Sequence, residues 1–141
     1  MNVAPNPEGE QNVRRLQPLR ILLSGRDRRF LRVTSFLLAQ RGYDVQETSP
    51  RRTLESVERH HSDVVLLETN DSRTMAARKV AALQALSVAP SVLVVYDDEP
   101  EPWPGLLAVR KWTPIETLVE QIEAAALNRP APLTESERAF L

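Results

Sequence analysis

The sequence predicts an α/β protein with a doubly wound, five-stranded parallel sheet, and two observations carry this prediction. Segments 19–25, 63–67 and 91–96 are continuous apolar runs rich in branched residues, as is typical of parallel strands covered on both faces. Segments with apolar residues at helical spacing separate these runs, and the alternation implies right-handed crossovers around one sheet. Two weaker strands, at 43–48 and 106–111, bring the number to five.

Three helices are predicted between the first four strands. The first carries an apolar stripe of Phe30, Val33, Leu37 and Leu38. Gly42 provides its C-terminal cap, because glycine adopts the left-handed backbone conformation at little cost. The second helix begins at Ser49 and Pro50, and the third spans 73–86. Together they supply the crossovers that a parallel sheet requires.

The fifth strand is followed by a helix but preceded by a loop. Thr113 is predicted to cap the last helix, with Pro114 at its first position and Glu116 closing a capping box. Before the fifth strand, "DDEPEPWPG" (97–105) contains alternate prolines, which remove N–H donors and disfavour helical backbone in the residues that precede them. The fourth helix of the alternation is therefore predicted to be missing or replaced by a Pro-rich loop.

Composition limits the classes of function. The 141 residues suit one domain, predicted at 18–128, with a flexible polar arm at 1–17 and a linker with a further segment at 129–141. A net charge of -1 provides no general attraction to nucleic acid or membranes, and the absence of cysteine excludes disulfides and thiolate metal sites. Neither a membrane-spanning run nor the apolar core of a signal peptide is found, so a soluble, cytoplasmic protein is expected.

Ligands bind doubly wound sheets beyond the carboxyl ends of the strands, at the switch point in strand order. Residues 24–27, Glu68 and Lys111 are predicted to lie there. With "GYDVQET" after the first helix, "SDVVLLE" at the third strand and "KWTPIETLVEQIEAAAL" at the end, the chain resembles the receiver domain of two-component response regulators over about residues 19–127. The resemblance implies a flavodoxin-like receiver fold and a role in signal transduction.

The resemblance also implies positions for the functional residues of the family. These are a phosphorylated aspartate, two Mg²⁺-binding acids, a Ser or Thr, an aromatic switch residue and a Lys-Pro pair. They correspond here, in that order, to Glu68, Gly25 and Arg26, Tyr96, Ala108, and Lys111 with Trp112. Only the lysine matches the family pattern. Gly25, Arg26 and Asp27 therefore form a degenerate acidic pocket, and Tyr96 and Ala108 are altered switch positions.

The altered charges change the expected chemistry. Glu68, Arg26 and Lys111 sum to about +1, so the site has no electrostatic demand for a divalent cation, and neither metal nor cofactor is expected. The planar fork of Arg26 suits a bidentate grip on a carboxylate. Two interpretations of Glu68 stay open: a pseudo-phosphoacceptor that mimics the charged state, held by Lys111 and Arg26, or a structural ion pair without a signalling role.

Two further features bear on partners. Trp103 and Trp112 flank the missing helix, where they either cover the core or act as interface anchors. The final "LTESERAFL" places Thr134 and Glu137 at capping-box spacing and resembles the start of the helix-turn-helix domain of LuxR-type regulators. DNA contact is then expected only through a domain beyond this chain.

The leading hypothesis is a non-enzymatic, atypical receiver domain that regulates transcription independently of phosphorylation, through dimerisation or contacts with a ligand or partner protein. The first alternative is a stand-alone small-molecule-binding or protein-docking module with a receiver fold. The second is a conventional phosphoacceptor switch that uses Glu68 or a nearby aspartate, with Asp27, Asp71, Asp97 and Asp98 as candidates.

Overall fold

The sheet is parallel and doubly wound, as predicted. The structure is a computed structural model that describes residues 17–97 and 105–128. Its five strands lie in the order β2-β1-β3-β4-β5, so the switch point falls between β1 and β3. The strands are β1 Arg20–Ser24, β2 Asp44–Thr48, β3 Val64–Thr69, β4 Ser91–Tyr96 and β5 Ala108–Arg110.

Helices cover both faces of the sheet. Within the described residues they are α1 Arg28–Gln40, α2 Thr53–His60, α3 Arg73–Gln84 and α4 Ile115–Leu127, and a 3-10 turn at Pro50–Arg52 precedes α2. Ile21 and Leu23 of β1 pack in the core cluster on the side of α1 and α4, whereas Leu22 packs in the cluster on the side of α2 and α3. Burial on both faces explains why the central strands are apolar without alternation.

Two local predictions were wrong. The third strand was expected to end at Leu67, but β3 continues to Thr69, with Glu68 in register with Val95 of β4 and all six strand residues buried. The capping box is also absent: α4 begins at Ile115 with Pro114 as its N-cap residue. The hydroxyl of Thr113 instead donates to the carbonyl oxygen of Arg110 at 2.5 Å, closing the preceding turn.

Several predictions fall outside the described residues. The flexible arm, apart from its last residue, the Pro-rich segment 98–104 with Trp103, and the C-terminal segment 129–141 all lie there. No helix occurs in the described residues 97 and 105–107 that border the Pro-rich segment. None of the described helices is long and apolar enough to cross a membrane.

Candidate functional site

Glu68 is a buried carboxylate at the carboxyl edge of the sheet. Its side chain leaves the end of β3, and only 7% of the residue is exposed. One oxygen, Oε1, accepts the backbone N–H groups of Arg26 at 3.1 Å and of Asp27 at 2.9 Å. Both amides belong to the turn between β1 and α1. The backbone itself therefore stabilises the Glu68 anion through two charge-assisted hydrogen bonds.

Gly25 leaves the space that the Glu68 side chain occupies against the turn between β1 and α1. A Cβ atom at position 25 would lie 2.7 Å from Cβ of Glu68 and 2.8 Å from its Oε1, which is closer than side-chain atoms approach one another. The requirement for glycine here is steric, because the backbone of the chain just after β1 and the side chain of Glu68 come into direct contact. An acid at position 25 and a glutamate seated at position 68 exclude each other.

Lys111 pairs with Asp27. Its Nζ atom lies 2.5 Å from Oδ2 of Asp27, and the lysine side chain is 7% exposed. The other oxygen of Asp27, Oδ1, accepts the backbone N–H of Phe30 at 3.1 Å and so caps α1. Asp27 thus joins the start of α1 to the loop after β5, and both of its carboxylate oxygens are engaged.

The ionisation of this pair follows from its contacts. The hydrogen bond from Lys111, supported by the N–H of Phe30, holds the pKa of Asp27 below its ordinary value. Burial by itself would lower the pKa of Lys111, but the hydrogen bond to Asp27 and the nearby charge of Glu68 outweigh burial and raise it. Both groups are therefore charged at neutral pH.

The sequence predicted that the guanidinium group of Arg26 would bind the Glu68 carboxylate, and this prediction was wrong. The backbone N–H of Arg26 makes the contact, whereas its side chain is exposed and has no hydrogen bond or ion pair within the described residues. Lys111 likewise forms its ion pair with Asp27, and it acts on Glu68 only through the electrostatic field. The turn geometry explains both differences, because it directs amides toward Glu68 and places Asp27 next to the lysine.

A second ion pair lies among the loops at the carboxyl edge of the sheet, residues 24–27, 68–72 and 111–113, which we call the crown. Lys79 of α3 contacts a carboxylate oxygen of Asp71, and the N–H of Asp71 donates to Oγ1 of Thr69 at 2.9 Å. The hydrogen bond from Lys79 lowers the pKa of Asp71. Sequence reasoning missed Lys79, because a spacing of eight residues across a loop and a helix start carries no periodic signal.

Three carboxylates at this edge of the sheet are each held by a different internal partner, and the charge of a fourth, Asp97, acts on Lys111. Glu68 has backbone amides, Asp27 has Lys111, and Asp71 has Lys79. Within residues 17–97 and 105–128, no group of three or more His, Asp or Glu side chains is placed to hold a metal ion. The arrangement favours fixed ion pairs over the open oxygen cluster that Mg²⁺ prefers.

The remaining predicted positions border this crown. Tyr96 and Ala108 both pack against the core cluster beneath α2 and α3, and the carbonyl of Tyr96 accepts the N–H of Lys111 at 2.6 Å. Trp112 is 53% exposed, has a left-handed backbone with φ of 63°, and meets Phe30 edge-to-face with ring centroids 5.2 Å apart. Its ring thus contacts the start of α1, while about half of the residue remains exposed.

Comparison with known proteins agrees with this architecture. No protein-family model and no curated protein matches the chain. The chemotaxis protein CheY4 of Vibrio cholerae is 18% identical with a TM-score of 0.64, and the match covers 77% of this chain and 98% of that one. A DNA-binding response regulator of the LuxR family from Staphylococcus aureus is 15% identical with a TM-score of 0.63, and the match covers 77% of this chain and 98% of that one. A CheY-like response regulator receiver domain protein from Methanospirillum hungatei JF-1 is 15% identical with a TM-score of 0.63, and the match covers 80% of this chain and 97% of that one. The chain therefore has the flavodoxin-like fold of response-regulator receiver domains.

Proposed function

We propose that this chain is an atypical receiver domain that signals without phosphorylation and without enzymatic activity, with Glu68 as its permanent anion. The observation that carries the proposal is the pair of hydrogen bonds from the amides of Arg26 and Asp27 to Oε1 of Glu68. A carboxylate oxygen that already accepts two backbone hydrogen bonds is a stabilised anion and is less available to attack phosphorus.

The chemistry of acyl-phosphate formation supports the same proposal. A carboxylate oxygen must attack phosphorus, and a cation must stabilise the charge that develops on the phosphoryl oxygens. In this chain Lys111 is engaged by Asp27, and Asp27 is engaged at both oxygens. Positions 25 and 26, which would supply the Mg²⁺-binding acids by resemblance, hold glycine and arginine. Both the nucleophile and its electrostatic support are thus compromised.

We further propose that the domain regulates transcription in the cytoplasm through self-association or contact with a partner protein. The half-exposed ring of Trp112 supports a protein interface at the start of α4, since tryptophan is enriched at interface centres. The likeness of the "LTESERAFL" segment to the start of LuxR-type DNA-binding domains supports a link to DNA through a domain beyond residue 141. A coding sequence without a helix-turn-helix pattern after Leu141 would count against that link.

Labelling with acetyl phosphate tests the proposal. The parent chain is incubated with radiolabelled acetyl phosphate and Mg²⁺, beside Glu68→Gln and a triple variant, Gly25→Asp/Arg26→Asp/Glu68→Asp, which restores three carboxylates. We expect the parent to retain no more label than Glu68→Gln, and the triple variant to gain label. Stoichiometric labelling of the parent that is lost in Glu68→Gln would overturn the proposal in favour of a conventional switch.

The alternative of a small-molecule-binding module is favoured by one observation, an open cavity of about 460 Å³ between α1 and β2. Its volume lies in the range of ligand pockets. A ligand input and a permanent anion at Glu68 are compatible, because the described hydrogen bonds to Glu68 come from backbone amides and leave the side chains of the cavity free to bind a ligand.

A further inference from the structure

The cavity between α1 and β2 is lined by arginines at the carboxyl edge of the sheet. Arg26, Arg28 and Arg32 line one side, and Glu47 and Ser49 lie on the other. Leu31 and Pro50 add apolar surface. The cavity thus combines cationic groups with apolar surface, as pockets for charged organic molecules do.

These arginines have no direct charge partner within the described residues, although Arg26 interacts with the charge of Asp71 at longer range. Neither an ion pair nor a hydrogen bond holds the side chains of Arg26, Arg28 and Arg32 there, whereas Arg41 pairs with Glu116 and Arg59 pairs with Glu55. Glu47 is the one acid among the described residues that line the cavity. The cavity is therefore a local positive region on a chain whose net charge is -1.

We propose that this cavity binds a small organic molecule that carries one or more phosphoryl groups. Guanidinium groups present planar donor forks that bind phosphate oxygens in bidentate fashion, and they stay charged at any physiological pH. Ser49 makes no capping hydrogen bond at the start of the 3-10 turn, so its hydroxyl is a further donor for the phosphoryl group. Leu31 and Pro50 provide contact for the organic part of the ligand.

A small ligand fits these observations better than a nucleic acid does. The described residues that line the cavity include no aromatic side chain on which a base could stack. The lining residues all lie in 25–32 and 47–50, a short stretch of surface for a polymer, and the chain as a whole is slightly acidic.

The cavity shares its wall with the seat of Glu68. Gly25 and Arg26 line the cavity, and the same two residues contact Glu68 through close packing and a backbone hydrogen bond. A phosphoryl group that binds to Arg26 therefore touches the turn that holds the permanent anion. The proposed ligand site does not depend on the absence of phosphorylation, because it is built from side chains that the acceptor position does not use.

Calorimetric titration of the full 141-residue chain with pyrophosphate and with AMP, at low salt and without Mg²⁺, tests this inference. Arg28→Gln/Arg32→Gln removes two cavity charges. Arg78→Gln/Arg110→Gln removes two exposed charges outside the cavity and is the matched control. We expect saturable binding to the parent and to the control within about twofold of each other, because the control keeps all the cavity arginines. Both double variants lose the same net charge, so a difference between them reports on the cavity. The cavity variant should bind at least about tenfold more weakly.

Two results of the calorimetry would overturn the inference: no saturable binding of either probe, or equal weakening in both double variants, which would indicate general charge attraction. A competition with a short DNA duplex completes the test. The duplex should fail to displace AMP, and displacement by DNA at lower concentration than by pyrophosphate would identify a polyanion surface instead. None of these binding results depends on whether acetyl phosphate labels the chain, so the ligand site and the proposed function can be refuted independently.

Discussion

The ammonium group of Lys111 lies 2.5 Å from Oδ2 of Asp27, not in an ion pair with Glu68. This contact ties the loop after β5 to the N-terminus of α1, while Glu68 is left to the backbone amides of the same turn. The lysine thus serves a residue that is not at an acidic position of the receiver pattern.

Removal of the Asp27 charge should measure the Lys111 pair. Asp27→Asn keeps a good N-cap residue but loses the charge, so we expect the free energy of unfolding to fall by about 1 kcal/mol, after allowance for the partial exposure of Asp27. Asp27→Ala loses the cap as well, and it should cost about 1 kcal/mol more. Urea denaturation of the two variants provides the measurement.

The same substitution in a Lys111→Met background serves as the control. With the lysine charge removed, Asp27→Asn should cost close to nothing, because no ion pair remains to be lost. An equal cost in both backgrounds would mean that the contact between Asp27 and Lys111 contributes nothing to stability.

Gly25→Ala should destabilise the fold through its contact with Glu68. The new Cβ would meet Cβ of Glu68 at 2.7 Å, so we expect a loss of about 2 kcal/mol in the free energy of unfolding. Glu68→Ala retains the Cβ atom and should not rescue this variant, whereas Glu68→Gly should. A double-mutant cycle between positions 25 and 68 gives the coupling energy. Full tolerance of Gly25→Ala would show that Glu68 is not seated against this backbone.

Stability should fall on acidification. The pKa values of Asp27 and Asp71 are lowered below the 3.8 of the free groups by hydrogen bonds from Lys111 and Lys79, so protons bind more tightly to the unfolded chain. The stabilisation is therefore present above about pH 4 and is lost as the pH falls through the lower, folded-state values. Urea denaturation from neutral pH downward should show this decline in the parent and a shallower one in Asp27→Asn. Identical acid limbs would contradict the assignment.

The sheet could be predicted because strands and helices leave local patterns of apolar residues in the sequence. The central strands read as continuous apolar runs since both of their faces are covered, and the order of elements left one plausible winding. That winding was enough to predict that Glu68, Lys111 and the turn 24–27 lie at one edge of the sheet. The extension of β3 to Thr69 was missed because a glutamate and a threonine interrupt the apolar run.

The pairing within the site could not be predicted in the same way. Glu68 is held by backbone amides, and backbone donors leave no residue signature at positions 26 and 27. The role of Asp27 did have a signal, since it stands three residues before Phe30, the first apolar residue of α1, at the spacing of an N-cap. Asp27 caps α1 at the carboxyl edge of the sheet, where it also lies within reach of Lys111.

Trp112 should tolerate glycine better than alanine. Its φ of 63° lies in the left-handed region, which alanine adopts at a cost and glycine does not. Both substitutions lose the edge contact with Phe30, so the difference isolates the backbone. We expect Trp112→Gly to be more stable than Trp112→Ala by about 1 kcal/mol in urea denaturation. The reverse order would place residue 112 in an ordinary backbone conformation.

An amide NMR titration of the parent chain with beryllofluoride and Mg²⁺ decides whether Glu68 is a permanent anion or a phosphoacceptor. If Glu68 is a permanent anion on the amides of Arg26 and Asp27, the resonances of residues 24–27 and 68–71 will not move, although they will differ between the parent and Glu68→Gln. Saturable shifts of those resonances in the parent, absent from Glu68→Gln, would contradict the account and show a functioning phosphoacceptor.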